Sequence, residues 1–276
     1  MPFQPIHPEK LSTTVVRQIE LLILRGILHA GERLPSEREL SEKLGVSRPS
    51  LREAIAELQA SGLLTSRAGS GIFVADVLGS AFSPALVRLF SEHTEAAADY
   101  LSFRRDMEGL AAERAARYGS DLDLQVIDTA CQQMVAAHAA TPPNAEKEAA
   151  LDTAFHLAII DASHNVVMLH MMRSMYDLLS GGVFYNRAQM FLEPSGRADL
   201  LDQHKAINAA IQLRDGIGAR AAVETHLDYV GAALAAQRKA EQNDMIARQQ
   251  STTPGPALKQ PADRTASGLP ATTLSR

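Results

Sequence analysis

The chain opens with short amphipathic stripes separated by sharp breaks. Leu11 to Leu28 carries Val15, Ile19, Leu22 and Ile23 at helical spacing, which predicts a helix ended by His29-Ala30-Gly31, with Gly26 weakening its last turn. Ser36 with Glu39 three residues on forms a capping box, so a second helix should start there, run to Leu44 and stop at Gly45. Ser47 caps a third, with Leu51, Ile55 and Leu58 on its apolar face. After Gly62, the runs 63–66 and 71–74 flank Arg67-Ala68-Gly69-Ser70, the pattern of a β-hairpin with a glycine-bearing tip. Helix, tight turn, helix and hairpin together predict a winged helix-turn-helix, with its third helix placed to enter a DNA major groove.

From Phe82 to about Ala240 no strand alternation appears. Breaks at Gly119, Pro142-Pro143, His164-Asn165, Gly181-Gly182, 194–196 and Gly216 divide it into predicted helices. These are 84–91, 95–118, 121–140, 144–162, 165–180, 182–192, 197–214 and 217–242. The fold class expected is therefore mainly α: an N-terminal winged helix-turn-helix and a C-terminal all-α helical bundle. The domains expected are 1–75 for the reader, 76–94 for a linker and first helix, 95–242 for the bundle and 243–276 for a tail. That tail is Ser/Thr/Pro/Ala-rich from Gln249 onward and is expected to be disordered.

Charge sharpens this division. The whole chain of 276 residues carries −5, which by itself argues weakly against a nucleic-acid partner. Residues 10–75, however, hold nine Lys/Arg against seven Glu, a net of +2, and the remainder carries −7. Seven of those nine cations are Arg, the side chain suited to forked contacts with phosphate and guanine. Arg38, Arg48, Arg52 and Arg67 sit at the helix starts and on the wing. Singly, each reads as a solvated surface charge; placed together on this motif they read as DNA contacts. One cysteine, Cys131, excludes a disulfide framework. No run of 18 apolar residues suggests a membrane span, and Met1 to Lys10 has no basic start followed by an apolar run. A cytoplasmic protein without a membrane partner is the expectation.

Four polar residues in the bundle stand out. Asp152 and His156 are i and i+4 on an apolar stretch and share a helical face. His204 and His226 lie 11 residues before and after Asp215, next to the Gly216 break. Two helices folded back there would place both rings at one level, about 16 Å from the turn at 1.5 Å per residue. Three imidazoles and a carboxylate suit a divalent first-row metal. On spacing alone they could equally be separate histidines, as His7, His29, His93, His138, His164 and His170 are taken to be.

The segments Gly31–Leu40, Gly45–Ala54 and Gly62-Leu63-Leu64 resemble the DNA-binding domain of the GntR family of bacterial transcription regulators, over about the first 75 residues. The resemblance implies contacts to operator bases and phosphates from Arg38, Arg48 and Arg52, with Gly69 at the wing tip reaching the minor groove. Ser47 and Ser50 would also face DNA, and Arg33 and Arg67 complete the expected set. Asp152–His156, Ala162–Asn165, His204–Ile207, Arg214-Asp215 and Thr225-His226-Leu227 resemble the ligand domain (FCD type) of the FadR subfamily, over about 95–235. Its metal-binding members use an Asp and three His at the positions of Asp152, His156, His204 and His226. Within that branch the chain looks most similar to regulators of glycolate utilisation, then to pyruvate dehydrogenase and lactate regulators.

The resemblance thus implies a regulator rather than an enzyme. It would be a homodimer on a palindromic double-stranded operator, holding zinc (nickel or manganese as alternatives) and a small 2-hydroxy- or 2-oxo-carboxylate chelated at the metal. Arg104 stands where the family carries its ligand-facing Arg, and Arg105 should face elsewhere. Asn208, one turn from His204, is placed to hydrogen-bond the ligand. Repression is expected as the mode, though nothing in the sequence fixes the sign. A metal-responsive regulator and a metalloenzyme acting on a small organic acid are the competing classes. No acid/base set near the cluster supports the enzyme.

Overall fold

A computed structural model describes residues 10–76, 82–180, 182, 190 and 194–252. The head comprises α1 (Leu11–Leu24), α2 (Glu37–Leu44), α3 (Arg48–Ala60), β1 (Leu64–Arg67) and β2 (Gly71–Val74). Its core is the apolar stripe of α1 (Val15, Val16, Ile19, Ile23) packed with Leu51, Ala54, Ile55 and Leu58 of α3 and closed by Leu64 and Val74. The predicted boundaries rest on local chemistry that is present. Ser36 Oγ accepts from the Glu39 amide at 3.3 Å while Glu39 accepts from the Ser36 amide at 3.0 Å. Gly45 ends α2 at φ 66°, a left-handed conformation that a Cβ would strain. Ser47 caps α3, with Pro49 in its first turn. The wing strands pair antiparallel from Leu64 opposite Val74 to Arg67 opposite Gly71.

In the head, the end of the first helix differs. The first helix ends at Leu24, not near Leu28, because Gly26 takes φ 67° and its N–H turns back to Ile23 O at 2.9 Å. A helix cannot continue through a residue of positive φ.

Within the compact unit spanning residues 1–231, every described element after the head is a helix. It holds α4 (Pro84–Glu92), α5 (Thr94–Tyr118), α6 (Asp121–His138), α7 (Ala145–Ala162), α8 (Val166–Ser180), α9 (Pro194–Gln212) and the first part of α10 (Gly216–Thr252). Side chains that are fully or nearly fully buried, such as Ile127 on α6, Phe155 and Ile159 on α7, Met172 on α8, Ile207 and Ile211 on α9 and Val223 on α10, form its interior. At the α9–α10 turn, Arg214 takes φ 56° and Asp215 Oδ1 accepts from the Gly218 amide at 2.9 Å, so Asp215 caps α10. The predicted helix 182–192 lies outside the described residues except for Gly182 and Met190. The tail expected from 243 is corrected in part: α10 continues to Thr252, and 253–276 lie outside the described residues. No described helix is long and apolar enough to cross a membrane.

Candidate metal centre and nucleic-acid interface

Helices α7, α9 and α10 converge on one buried point. α7 supplies Asp152 and His156 from adjacent turns, α9 supplies His204, and α10 supplies His226. All four residues are buried, and one ligand atom from each lies within 4.8 Å of the others. The back-folding expected about Asp215 is observed: the His204 and His226 rings lie 4.4 Å apart, centroid to centroid. His156 stands 5.3 Å from His204 and 5.2 Å from His226.

The tautomers follow from the outer partners. His204 Nδ1 lies 2.6 Å from Leu200 O, and a carbonyl only accepts, so Nδ1 carries the hydrogen. His226 Nδ1 donates in the same way to Gln203 Oε1 at 2.9 Å, and His156 Nδ1 to Glu108 Oε2 at 2.7 Å. Each Nδ1 is thus committed outward, which leaves Nε2 to face inward on each ring. His204 Nε2 lies 3.3 Å from His156 Nε2 and 2.8 Å from Asp152 Oδ1. Lone pairs and a carboxylate oxygen this close repel unless protons or a cation stand among them. Outward Nδ1–H bonds that fix ring orientation are the usual support for metal-bound histidines.

Behind His156 lies a second buried group. Glu108 on α5 receives Arg104 Nε at 2.6 Å and the Tyr176 hydroxyl at 2.7 Å, and Arg104 Nη2 also reaches Tyr176 Oη at 2.6 Å. Arg104 and Glu108 are 1% and 2% exposed, so their charges can be sustained there only as a pair. Burial pushes the Glu108 carboxyl up, but the charges and hydrogen bonds of Arg104 and His156 outweigh it and hold it well below the usual carboxylate range. Burial likewise drives the Tyr176 hydroxyl well above its ordinary value, with Arg104 opposing and Glu108 adding to the rise.

Arg104, the residue expected to face a ligand, lies behind His156 and is already paired with Glu108. Arg105, one position round the helix, turns to the surface and bonds Asp228 at 2.8 Å. Asn208 is placed differently from its expected role: its amide donates to Asp128 at 2.8 Å and accepts from Gln212 at 3.1 Å. Glu108, Tyr176 and Gln203 were not singled out by the sequence. Only Glu108 left a signal there, four residues after Arg104.

On the head, Arg33, Arg38, Ser47, Arg48, Arg52, Arg67 and Gly69 are exposed, and Ser50 is half-buried beside Ser47, with 2.9 Å between their hydroxyls. Arg38 pairs with Glu42 at 3.2 Å and Arg52 with Glu37 at 2.8 Å, and the second of these ties the start of α3 to α2. The Arg67 guanidinium lies 4.4 Å over the Phe73 ring on the wing. Gly69 holds φ 72° at the tip, with open space where a Cβ would stand.

A winged helix-turn-helix head joined to a helical domain with a buried carboxylate–imidazole cluster is the build of a transcription regulator. Known proteins place it in the same class. Residues 11–74 match the family of bacterial regulatory proteins of gntR type, and residues 99–229 match the FCD domain. The chain is 37% identical over 229 residues to a regulatory protein assigned to the L-lactate dehydrogenase operon of Escherichia coli, covering 82% of this chain and 86% of the relative. It is 37% identical over 213 residues to the Glc operon transcriptional activator of the same organism, covering 75% and 83%. The HTH-type regulator LutR of Bacillus subtilis is 30% identical over 210 residues, covering 76% and 94%. A solved Streptococcus agalactiae GntR structure superposes at a TM-score of 0.48 with 25% identity, over 80% of this chain and 99% of that one. The chain belongs to the GntR family, with an FCD domain of the FadR type, and its relatives named above are regulators of transcription, not enzymes.

Proposed function

We propose that this regulator binds a divalent metal at Asp152, His156, His204 and His226, and that a small 2-hydroxy- or 2-oxo-carboxylate bound there changes its affinity for a palindromic operator. The observation that carries the metal reading is the outward commitment of all three Nδ1 atoms around one buried cluster that includes Asp152. The donor set fits zinc, with nickel or manganese as alternatives. When bound, the ion supplies Lewis-acid positions for the oxygens of a small acid.

The protein's own contribution is orientation and charge. Leu200, Gln203 and Glu108 hold the three rings in place. Arg104 supplies the cation for an incoming carboxylate, which would have to share the guanidinium with Glu108 and Tyr176. The L-lactate dehydrogenase operon named for one relative supports this class of effector. On the head, Arg38, Ser47, Arg48, Ser50 and Arg52 are assigned to the major groove and nearby phosphates. Arg33, Arg67 and Gly69 are assigned to the wing's contact with the adjoining backbone and minor groove. A homodimer presents two such heads, and repression is the mode we expect.

Calorimetry tests the reading. L-Lactate, glycolate and pyruvate are titrated into zinc-loaded protein and into protein stripped with EDTA. At least one acid should bind the loaded form, and stripping should abolish its binding. Equal binding by both forms would refute the metal-linked site.

A further inference from the structure

We propose that the C-terminal end of α1 docks on α8, and that this contact carries the state of the buried cluster to the DNA-reading head. It rests on the regulatory reading above for its purpose, but not for its geometry. α8 meets the chain leaving α1 at three points. His170 Nε2 donates to Leu24 O at 2.8 Å, and Arg173 Nη1 donates to Gly26 O at 3.3 Å. Leu169 and Arg173 also close over Gly26, where a Cβ would stand 2.4 Å from Arg173 Nη1 and 2.8 Å from Leu169 Cδ2. Gly26 thus meets two demands at once, a φ of 67° and a surface without a side chain. The Leu24 carbonyl, one of the two acceptors, is the last of the helix, where acceptors are left unsatisfied and partial negative charge collects.

The contact is tied to the cluster along two helices. On α8, Tyr176 lies one turn beyond Arg173, and its hydroxyl bonds Glu108, which holds His156. On α7, Asp161 grips Arg173 at 3.2 and 3.1 Å, and the same helix carries Asp152 and His156. Toward the head, α1 cannot shift alone, because Ile19 and Ile23 are set in the head's core. A displacement of α7 or α8 at the cluster therefore acts on the carbonyls of Leu24 and Gly26, and through α1 on the whole head. Coupling of this kind needs an element that responds to perturbation at both ends, and α8 is that element.

Hydrogen exchange of the full-length chain, read by mass spectrometry, tests it without operator or effector. The EDTA-stripped protein is compared with Arg173→Ala, Gly26→Ala and Tyr176→Phe. Arg173→Ala should raise exchange across residues 24–31 by on the order of tenfold, as the loss of a charge-assisted hydrogen bond implies. Tyr176→Phe keeps the ring and its packing and removes only the hydroxyl at the cluster. It should raise exchange in the same distant segment while α3 stays as protected as in the unaltered protein. Unchanged exchange at 24–31 in Tyr176→Phe overturns the coupling, and unchanged exchange in Arg173→Ala overturns the contact itself. Arg173→Ala keeps the test decisive if Gly26→Ala does not fold. Zinc binding, measured by calorimetry on the same samples, separates the outcomes: failure to bind zinc refutes the metal reading and leaves the exchange result standing.

Discussion

Replacing Glu108 with Gln removes one charge from a pair that is almost wholly excluded from water. Arg104 would keep its charge at 1% exposure, with Tyr176 as its remaining neutral partner from that group. Breaking a buried pair by removing one member costs on the order of 3–5 kcal/mol, because the other charge is left uncompensated. Arg104→Met alone should cost a similar amount, for the same reason applied to Glu108. The double variant should lose much less than the sum, with a coupling of about 2–3 kcal/mol. The assay is urea unfolding of EDTA-stripped protein followed by tyrosine fluorescence. The chain has no Trp, and its five Tyr all lie at residue 100 or beyond, so the signal reports the helical domain and not the head. The pH dependence is fixed by the same pair. The folded-state pKa of Glu108 is depressed, so its stabilisation is complete above the unfolded value of about 4.3 and fades as the pH falls below it. Wild type and Glu108→Gln should therefore converge in acid. Additive single-variant costs, within about 0.5 kcal/mol, would refute a buried charge pair at this position.

His204→Ala should abolish the zinc-dependent rise in thermal stability, which for the unaltered protein at about 100-fold excess over Kd amounts to about 2.7 kcal/mol; a retained rise removes His204 from the ligand set. Arg48→Ala should cost about 1–3 kcal/mol in operator binding and relax sequence preference, whereas loss of Arg67 should lower the salt dependence by about one counterion, as fluorescence anisotropy across salt concentrations will show. Ser36→Ala removes the cap of α2 and should cost about 1 kcal/mol in denaturation of the head followed by circular dichroism. Asn208→Ala should leave zinc affinity unchanged in calorimetry, since its amide is held by Asp128 and Gln212; a loss of affinity comparable to that of a ligand variant would place it at the cluster after all.

What the sequence disclosed divides by the range of the interaction. The capping box of Ser36 and Glu39, the left-handed Gly45 and the Ser47 cap are each settled within four residues, and all stand as expected. The meeting of His204 and His226 was also readable, because one turn and a fixed rise per residue determine it. Gly26 was read only as a weak point in a helix, since its use depends on Arg173 and Leu169, on a helix far along the chain. Asn208 shares roughly a face with His204, yet α6 brings Asp128 to it, and no spacing along α9 could announce that neighbour. The same holds for Tyr176 and Gln203, whose roles exist only once α8 lies beside α5 and α10 beside α9. Arg104 shows most sharply where pattern reading stops. Resemblance to the family marks it as the expected cation for a ligand's carboxylate, and Glu108 one turn later already occupies the guanidinium. If the proposed effector acid binds at Arg104, it must join or displace that internal carboxylate, and the strength of the Arg104–Glu108 pair then enters directly into how tightly the acid is held.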